Sequence, residues 1–250
     1  MNTIQTNLPG DFPQRKIKDI VAENFHAVEL FEKYKIDFCC KGNRSVQEAL
    51  DEKKLSIPKF YKELSNVYQS NSAEKHNYNE WDLVELYEYI VRTHHTYVKS
   101  AIPLITLHIE KVINAHAKKY PFLLEVQHVF GLVANEMNGH MMKEENILFP
   151  LIKYLVDTQK FNEKPKTGGF GTIKNPIRQM EAEHVSAGGA TEKLRELTDD
   201  YQLPEDACAT FQVLYKELNE FEIDLHKHVH LENNILFPKA IKLEEKLLTN

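Results

Sequence analysis

The sequence predicts an all-α protein, a four-helix up-down bundle preceded by a small helical domain. Three observations predict this. Glycine is scarce, 9 residues of 250, and long stretches rich in Leu, Glu, Lys and Ala favour helix over sheet. Apolar residues recur at helical spacing along four long segments, as in helices that each bury one face. An eleven-residue phrase is also written twice. His140 to Pro150 reads HMMKEENILFP and His228 to Pro238 reads HVHLENNILFP, identical at seven positions. The two histidines lie 88 residues apart, which suits two related helical hairpins rather than a solenoid.

In chain order, residues 1–70 read as the small domain. Pro13 precedes an amphipathic run with Ile17, Ile20, Val21, Phe25, Val28, Leu30 and Phe31, which ends near IDFCCKGNRS, where Gly42 and Asn43 supply turn chemistry. Ser45 with Glu48 reads as a capping box opening a second helix, and a third follows Pro58. The polar residues 71–79 read as a linker and 80–250 as the bundle. Its first helix is expected over about 82–118, with Leu83, Leu86, Tyr87, Ile90, His94, Tyr97 and Ala101 on one stripe and a kink at Pro103. The second is expected over about 121–157, before a loop rich in Gly and Lys over 159–174. Asn175-Pro176 reads as the cap and first turn of the third helix, which ends near Leu197, and Pro204 opens the fourth.

Composition narrows the function classes. A net charge of −6 offers no basic excess for neutralising phosphates, so nucleic acid is not an expected partner. No apolar run approaches the roughly 20 residues of a membrane span, and the amino terminus has no secretory apolar core. Three cysteines, Cys39, Cys40 and Cys208, make no disulfide framework and fit a reducing compartment, so the expected location is cytoplasmic. The residues set no oligomeric state; a homodimer is compatible with them.

In each copy of the phrase a His precedes a Glu by four residues, so both side chains share a helical face. Hairpin symmetry asks the preceding helix of each pair for an equivalent residue. Counting back 46 from His140 gives His94, and 44 from His228 gives His184, each on its apolar stripe. Glu144 and Glu232 stand where an apolar residue belongs, and a buried carboxylate without a partner costs several kcal/mol, so they call for a cation or a proton. Any one His on such a stripe is ordinarily a packing residue; four with two such carboxylates divide naturally between two metal ions. Each ion would take two imidazoles and share both carboxylates. An oxide or hydroxide bridge would leave one place open on a six-coordinate ion. Iron or manganese suits these donors better than structural zinc. Glu136, one turn before His140, and Glu183, beside His184, are candidates for orienting a ligand or lining an access path, or are solvated carboxylates. His95, His226 and His230 flank the candidates and are expected to point elsewhere.

Cys39 and Cys40 are adjacent, and a disulfide between neighbours closes only a strained ring. They read either as two small buried residues or as a low-pKa thiol site able to bind a soft metal or exchange redox equivalents. Cys208 reads as packing.

These segments resemble one family, the repair of iron centres proteins. YKIDFCCKGNRSVQEA is similar to its cysteine-pair domain, and VRTHH, GHMMKEENILFP, MEAEH and HVHLENNILFP resemble its four metal-bearing helices in order. Lys41 stands where the family often has a further Gly after the cysteine pair. The resemblance implies a hemerythrin-like bundle with a non-haem di-iron centre held by His94, His140, His184 and His228 and bridged by Glu144 and Glu232. It also implies repair of iron–sulfur clusters damaged by nitric oxide or peroxide, with the damaged proteins as partners; the two shared carboxylates, Glu144 and Glu232, then make donation of labile iron the expected means. Two alternatives belong to other classes: a protein that binds or senses nitric oxide or oxygen, and an enzyme that reduces nitric oxide.

Overall fold

The computed structural model describes residues 12–39, 41–70, 77–165, 169 and 171–249. They form eight α-helices, with no strand among the described residues beyond the isolated bridge Lys16–Ser45. The small domain holds α1 (Ile17–Glu23), α2 (Ala27–Lys33), α3 (Val46–Glu52) and α4 (Ile57–Ser70). Its first amphipathic run is broken into α1 and α2. Asn24 leaves the helical region, and its side-chain Oδ1 accepts the His26 N–H at 3.2 Å, competing with the helical ladder. The break swings Phe25 onto Tyr78, ring centroids 4.9 Å apart. The Ser45–Glu48 capping box forms as expected. Gly42 is required by close approach, because a Cβ there would lie 2.3 Å from the carbonyl oxygen of Phe38.

The bundle helices are α5 to α8. Helix α5 runs as Leu83–Ile90, a π-helical turn Val91–His95, and Thr96–His116, continuing through Pro103. Helix α6 runs as Leu123–Lys143, a π-turn Glu144–Leu148, and Phe149–Lys160. Helix α7 (Lys174–Leu197) is α-helical throughout, and α8 runs as Ala209–Leu231, a π-turn Glu232–Leu236, and Phe237–Thr249. Asn175 is already inside α7 rather than capping it, and Pro176 keeps its place in the first turn. Helix α8 begins five residues after Pro204, because Asp199, Asp200 and Tyr201 adopt left-handed backbone and the chain makes a further turn, Ala207 N–H to Pro204 O, before Cys208 takes the N-cap position. Short connections make α5 and α6 one hairpin and α7 and α8 the other. No helix of the described residues is long and apolar enough to cross a membrane.

The core is divided. One apolar cluster joins the small domain to the lower bundle, from Phe31 and Phe38 through Val98, Phe130 and Phe221. A second fills the other end, with Leu86, Ile90, Ile152, Met180, Leu236 and Phe237. Between them lies a layer of buried histidines and glutamates.

Candidate metal centre

Each bundle helix delivers side chains to this layer, and three of the four do so at a π-turn. Glu144 and Glu232 open such turns and His95 closes one. A π-turn adds one residue to the helical step, re-aims the side chains beside it, and occurs mostly at functional sites. His140 and His228 sit in regular helix four residues before their glutamates, so each pair shares a face.

Six side chains, all wholly buried, converge: His95, His140, Glu144, His184, His228 and Glu232. Glu144 Oε2 lies 3.3 Å from both His95 Nε2 and His140 Nε2. Glu232 mirrors this, with Oε1 2.9 Å from His228 Nε2 and Oε2 3.1 Å from His184 Nε2. Two overlapping groups result, His95–Glu144–His228–Glu232 and His140–Glu144–His184–Glu232, each with donor atoms within 4.8 Å of one another. Both carboxylates belong to both groups, as a bridging pair requires.

Five of the six expected residues are brought together; His94 is not among them. Its Nδ1 donates to Asp224 Oδ1 at 2.9 Å, outside the cluster, and His95 takes its place. The expectation stepped four residues from Ile90, as an α-helix does. The π-turn Val91–His95 makes the step five, and the inward residue becomes His95. The repeated phrase supports the same assignment. Its Phe stacks on the upstream histidine in each copy: Phe149 on His95 (5.8 Å, 20°) and Phe237 on His184 (6.0 Å, 2°). A sequence signal for His95 existed, since it stands 45 residues before His140, nearer than His94 to the 44 that separate His184 and His228.

The far nitrogens of three rings are held. His95 Nδ1 meets Glu145 Oε1 at 2.7 Å, His140 Nδ1 meets Glu183 Oε2 at 2.9 Å, and His184 Nδ1 meets Asn233 Oδ1 at 2.8 Å. A carboxylate or amide oxygen only accepts, so Nδ1 carries the proton and Nε2 offers its lone pair inward, the arrangement that metal-binding histidines adopt. Glu183 therefore orients a histidine, as one sequence reading had it. Glu136 instead accepts from Ser186 Oγ at 3.0 Å on the surface and touches no ring of the layer. Glu145 and Asn233, at the same position of the two phrases, were not anticipated.

The electrostatics are those of a cation site. Burial and the neighbouring Glu232 push Glu144 towards the neutral form, but His140 and His95 outweigh them and hold its carboxyl below the usual range. Burial likewise opposes ionisation of Glu232, yet His228 and His184 hold it well below that range. Burial would depress His140, but Glu144, Glu232 and Glu183 raise it to about 9. His228 is lowered by burial. Both oxygens of Glu144, Oε2 of Glu232 and Nε2 of His95 have no hydrogen-bond partner, and His140 Nε2 and His184 Nε2 face each other at 3.0 Å. Unpaired acceptors buried this way cost about 1–3 kcal/mol each, more when charged. Two metal ions sharing the carboxylates would satisfy all of these atoms, and the nitrogen and oxygen donors suit iron or manganese.

Cys39 lies outside the layer, on a cleft of about 240 Å³ between the small domain and Val185, Gly188 and Gly189 of α7. It is buried, its N–H donates to Asp37 Oδ1 at 2.9 Å, and its Sγ lies 3.3 Å from the same oxygen. Cys40 lies outside the described residues, so the pair as such is not described. Cys208 is exposed, with Sγ 3.2 Å from His116 Nε2, rather than packed.

Residues 88–240 match the hemerythrin HHE cation-binding domain, and residues 13–68 match a domain of unknown function, DUF542. Over 92% of its length the chain is 34% identical to a probable iron–sulfur cluster repair protein of Haemophilus influenzae, covering 98% of that protein. It is 35% identical to the iron–sulfur cluster repair protein YtfE of Musicola paradisiaca and 33% identical to that of Yersinia pseudotuberculosis, in each case over 87% of this chain and 92% of the relative.

Proposed function

Because the chain belongs to the iron–sulfur cluster repair family, joining a DUF542 domain to a hemerythrin HHE domain, we propose that it carries two iron ions and releases iron to rebuild damaged clusters. In this reading His95, His140, His184 and His228 hold the ions and Glu144 and Glu232 bridge them. The damaged iron–sulfur proteins are the partners, and iron is cargo rather than a catalyst. The observation that carries the reading is the buried layer in which six donors converge and several have no other partner.

The shared carboxylates suit release. Each glutamate reaches one imidazole from either group, so a proton taken up by Glu144 or Glu232 withdraws a donor from both positions at once. Three of the four histidines, His95, His140 and His184, are kept in orientation by Glu145, Glu183 and Asn233 and stay ready for reloading. The three-part division into residues 1–70, 71–79 and 80–250 assigns the iron to the bundle and gives the small domain the part of meeting a partner. A cytoplasmic setting accords with iron exchange and with three cysteines that make no disulfide framework.

The test is transfer. Protein loaded anaerobically with ferrous iron is mixed with a cluster-depleted enzyme and a sulfide source. Recovery is expected to be faster than with the same amount of free ferrous iron, and to be lost in Glu144→Ala and Glu232→Ala. Recovery no faster than with free iron, or unchanged in both variants, overturns donation.

A further inference from the structure

We propose that the two metal positions are unequal, and that the position bounded by His95 and His228 gives up its ion about 10–100-fold more readily than the position bounded by His140 and His184. This rests on the metal reading above and specifies which half of the site supplies the iron.

The argument comes from where the internal symmetry of the bundle fails. Superposing one hairpin on the other in sequence pairs His95 with His184, His140 with His228, Glu144 with Glu232, Glu145 with Asn233 and Phe149 with Phe237. Contacts follow the pairing. The residue after each bridging glutamate accepts from the upstream histidine, at 2.7 Å from Glu145 and 2.8 Å from Asn233, and each Phe stacks on that same ring. One further pair is the residue just before the upstream histidine, Glu183 in one hairpin and His94 in the other. Here the contacts diverge.

Glu183 accepts from His140 Nδ1 at 2.9 Å and is itself held by Lys143 and by Gln179, the latter at 3.1 Å. His94 stands in the corresponding place beside His228, the two rings parallel within 6° and their centroids 5.6 Å apart. Its Nδ1 is turned away to Asp224 Oδ1 at 2.9 Å. As a result His94 Nε2 and His228 Nδ1 are both buried without a hydrogen-bond partner. An imidazole that binds metal through Nε2 keeps its proton on Nδ1. An acceptor there fixes the tautomer and the ring and raises its basicity, and loss of such an acceptor typically costs 10–100-fold in affinity. His140 has this support and His228 lacks it.

The other outer contacts differ in the opposite sense but by less. His95 is backed by the carboxylate of Glu145, shared with Lys99 at 2.7 Å, and His184 by the amide of Asn233. An amide accepts the same bond with less charge, whereas His228 makes no such bond. Both positions use the same two glutamates, so the inequality resides in the imidazoles.

The experiment follows release to a chelator, with no cluster acceptor present. Protein carrying two equivalents of ferrous iron is mixed anaerobically with an excess of a colorimetric ferrous chelator. Two phases of equal amplitude are expected, at least about 10-fold apart in rate. Crystals of protein stopped after the first phase should show iron anomalous signal remaining between His140 and His184. His94→Glu supplies the carboxylate that the other hairpin has and should slow the fast phase several-fold. His94→Gln, a neutral acceptor, should do so less, and serves if the first variant folds poorly. Glu183→Ala should quicken the slow phase. Loss of both ions in a single phase overturns the proposal, as does residual iron beside His95 and His228, or a fast phase unmoved in both His94 variants. Two phases without transfer to a cluster-depleted enzyme would sustain the inequality and remove donation; transfer with a single phase would do the reverse.

Discussion

Helices α5 and α7 each deliver one upstream histidine to the same layer, yet α5 uses a π-turn to do so and α7 stays regular throughout. In α7 the inward residue follows from counting, since Ile177, Met180, His184, Ala187 and Thr191 are all buried at helical spacing. In α5 the count from Ile90 lands on His94, while the five-residue step of the π-turn brings in His95. Inserting one residue while keeping the chemistry leaves a spare histidine next to the ligand, and His94 now stands where α7 has Glu183. The comparison teaches that a duplicated motif preserves its donors more faithfully than the groups that steer them.

The largest expected effect tests what the two hairpins share. Glu144→Ala and Glu232→Ala should each lower metal affinity at both positions by more than about 100-fold, beyond what outer contacts alone contribute, because each carboxylate serves both groups. Metal analysis after desalting should then find close to no retained iron in either variant. If one variant keeps a full equivalent, that carboxylate does not bridge. Next comes the residue that distinguishes α5 from α7. His95→Ala should lose one of two iron equivalents, whereas His94→Ala should retain both; the opposite pattern would restore the α-helical count and remove the π-turn from the argument.

A smaller effect is expected from the residues just after the glutamates. Glu145→Ala and Asn233→Ala should each weaken one position by about 10–100-fold in an isothermal titration, with the greater loss in Glu145→Ala, where a charged acceptor is removed. Equal affinities in wild type and both variants would show the rings are held by packing against Phe149 and Phe237 alone. The smallest effect concerns a difference outside the site, since the small domain rests on α8. Burial pulls His226 down, but Glu32, at 2.7 Å, and the facing Glu222 and Asp37 raise it above the ordinary imidazole value. A raised folded value means that stabilisation is complete below the unfolded value of about 6.5 and fades as pH rises through the folded value. Metal-free wild type should therefore exceed Glu32→Gln by about 1–2 kcal/mol at pH 6, with the gap closing in alkaline buffer. Chemical denaturation across that range checks it, and a gap that widens with pH would contradict the sign.

Much of the layer was legible because the regular helix between each motif histidine and its glutamate keeps the four-residue step intact. The π-turns at Glu144 and Glu232 begin only at those residues, so they left that step untouched. In α5 the π-turn Val91–His95 instead ends on the histidine itself, and nothing in VRTHH marks an extra residue until two neighbouring histidines are compared for spacing. The Ser45–Glu48 cap was readable because both halves of it are local. The break at Asn24 and the late start of α8 were not, because each depends on a turn whose competing hydrogen bonds and left-handed residues leave weak marks in composition. Glu145 and Asn233 were not singled out by the sequence, since their role depends on which helix lies opposite.

Helix α8 has two working faces. His228 and Glu232 point into the layer, while His226 and His230, one step of four apart, meet the small domain: Phe38 lies 5.9 Å from His226 and 5.7 Å from His230, and Phe25 lies 6.0 Å from His230. Burial among these rings pushes His230 down to about 3, so it serves this contact as a neutral group. One rigid rod thus carries two attachments, and thermodynamic linkage makes any influence between them reciprocal. Whatever free energy an ion adds to the seating of the small domain, that seating returns in full to the ion. A protein that grasped the small domain would then be pulling, through a single helix, on the strength with which any bound ion is kept.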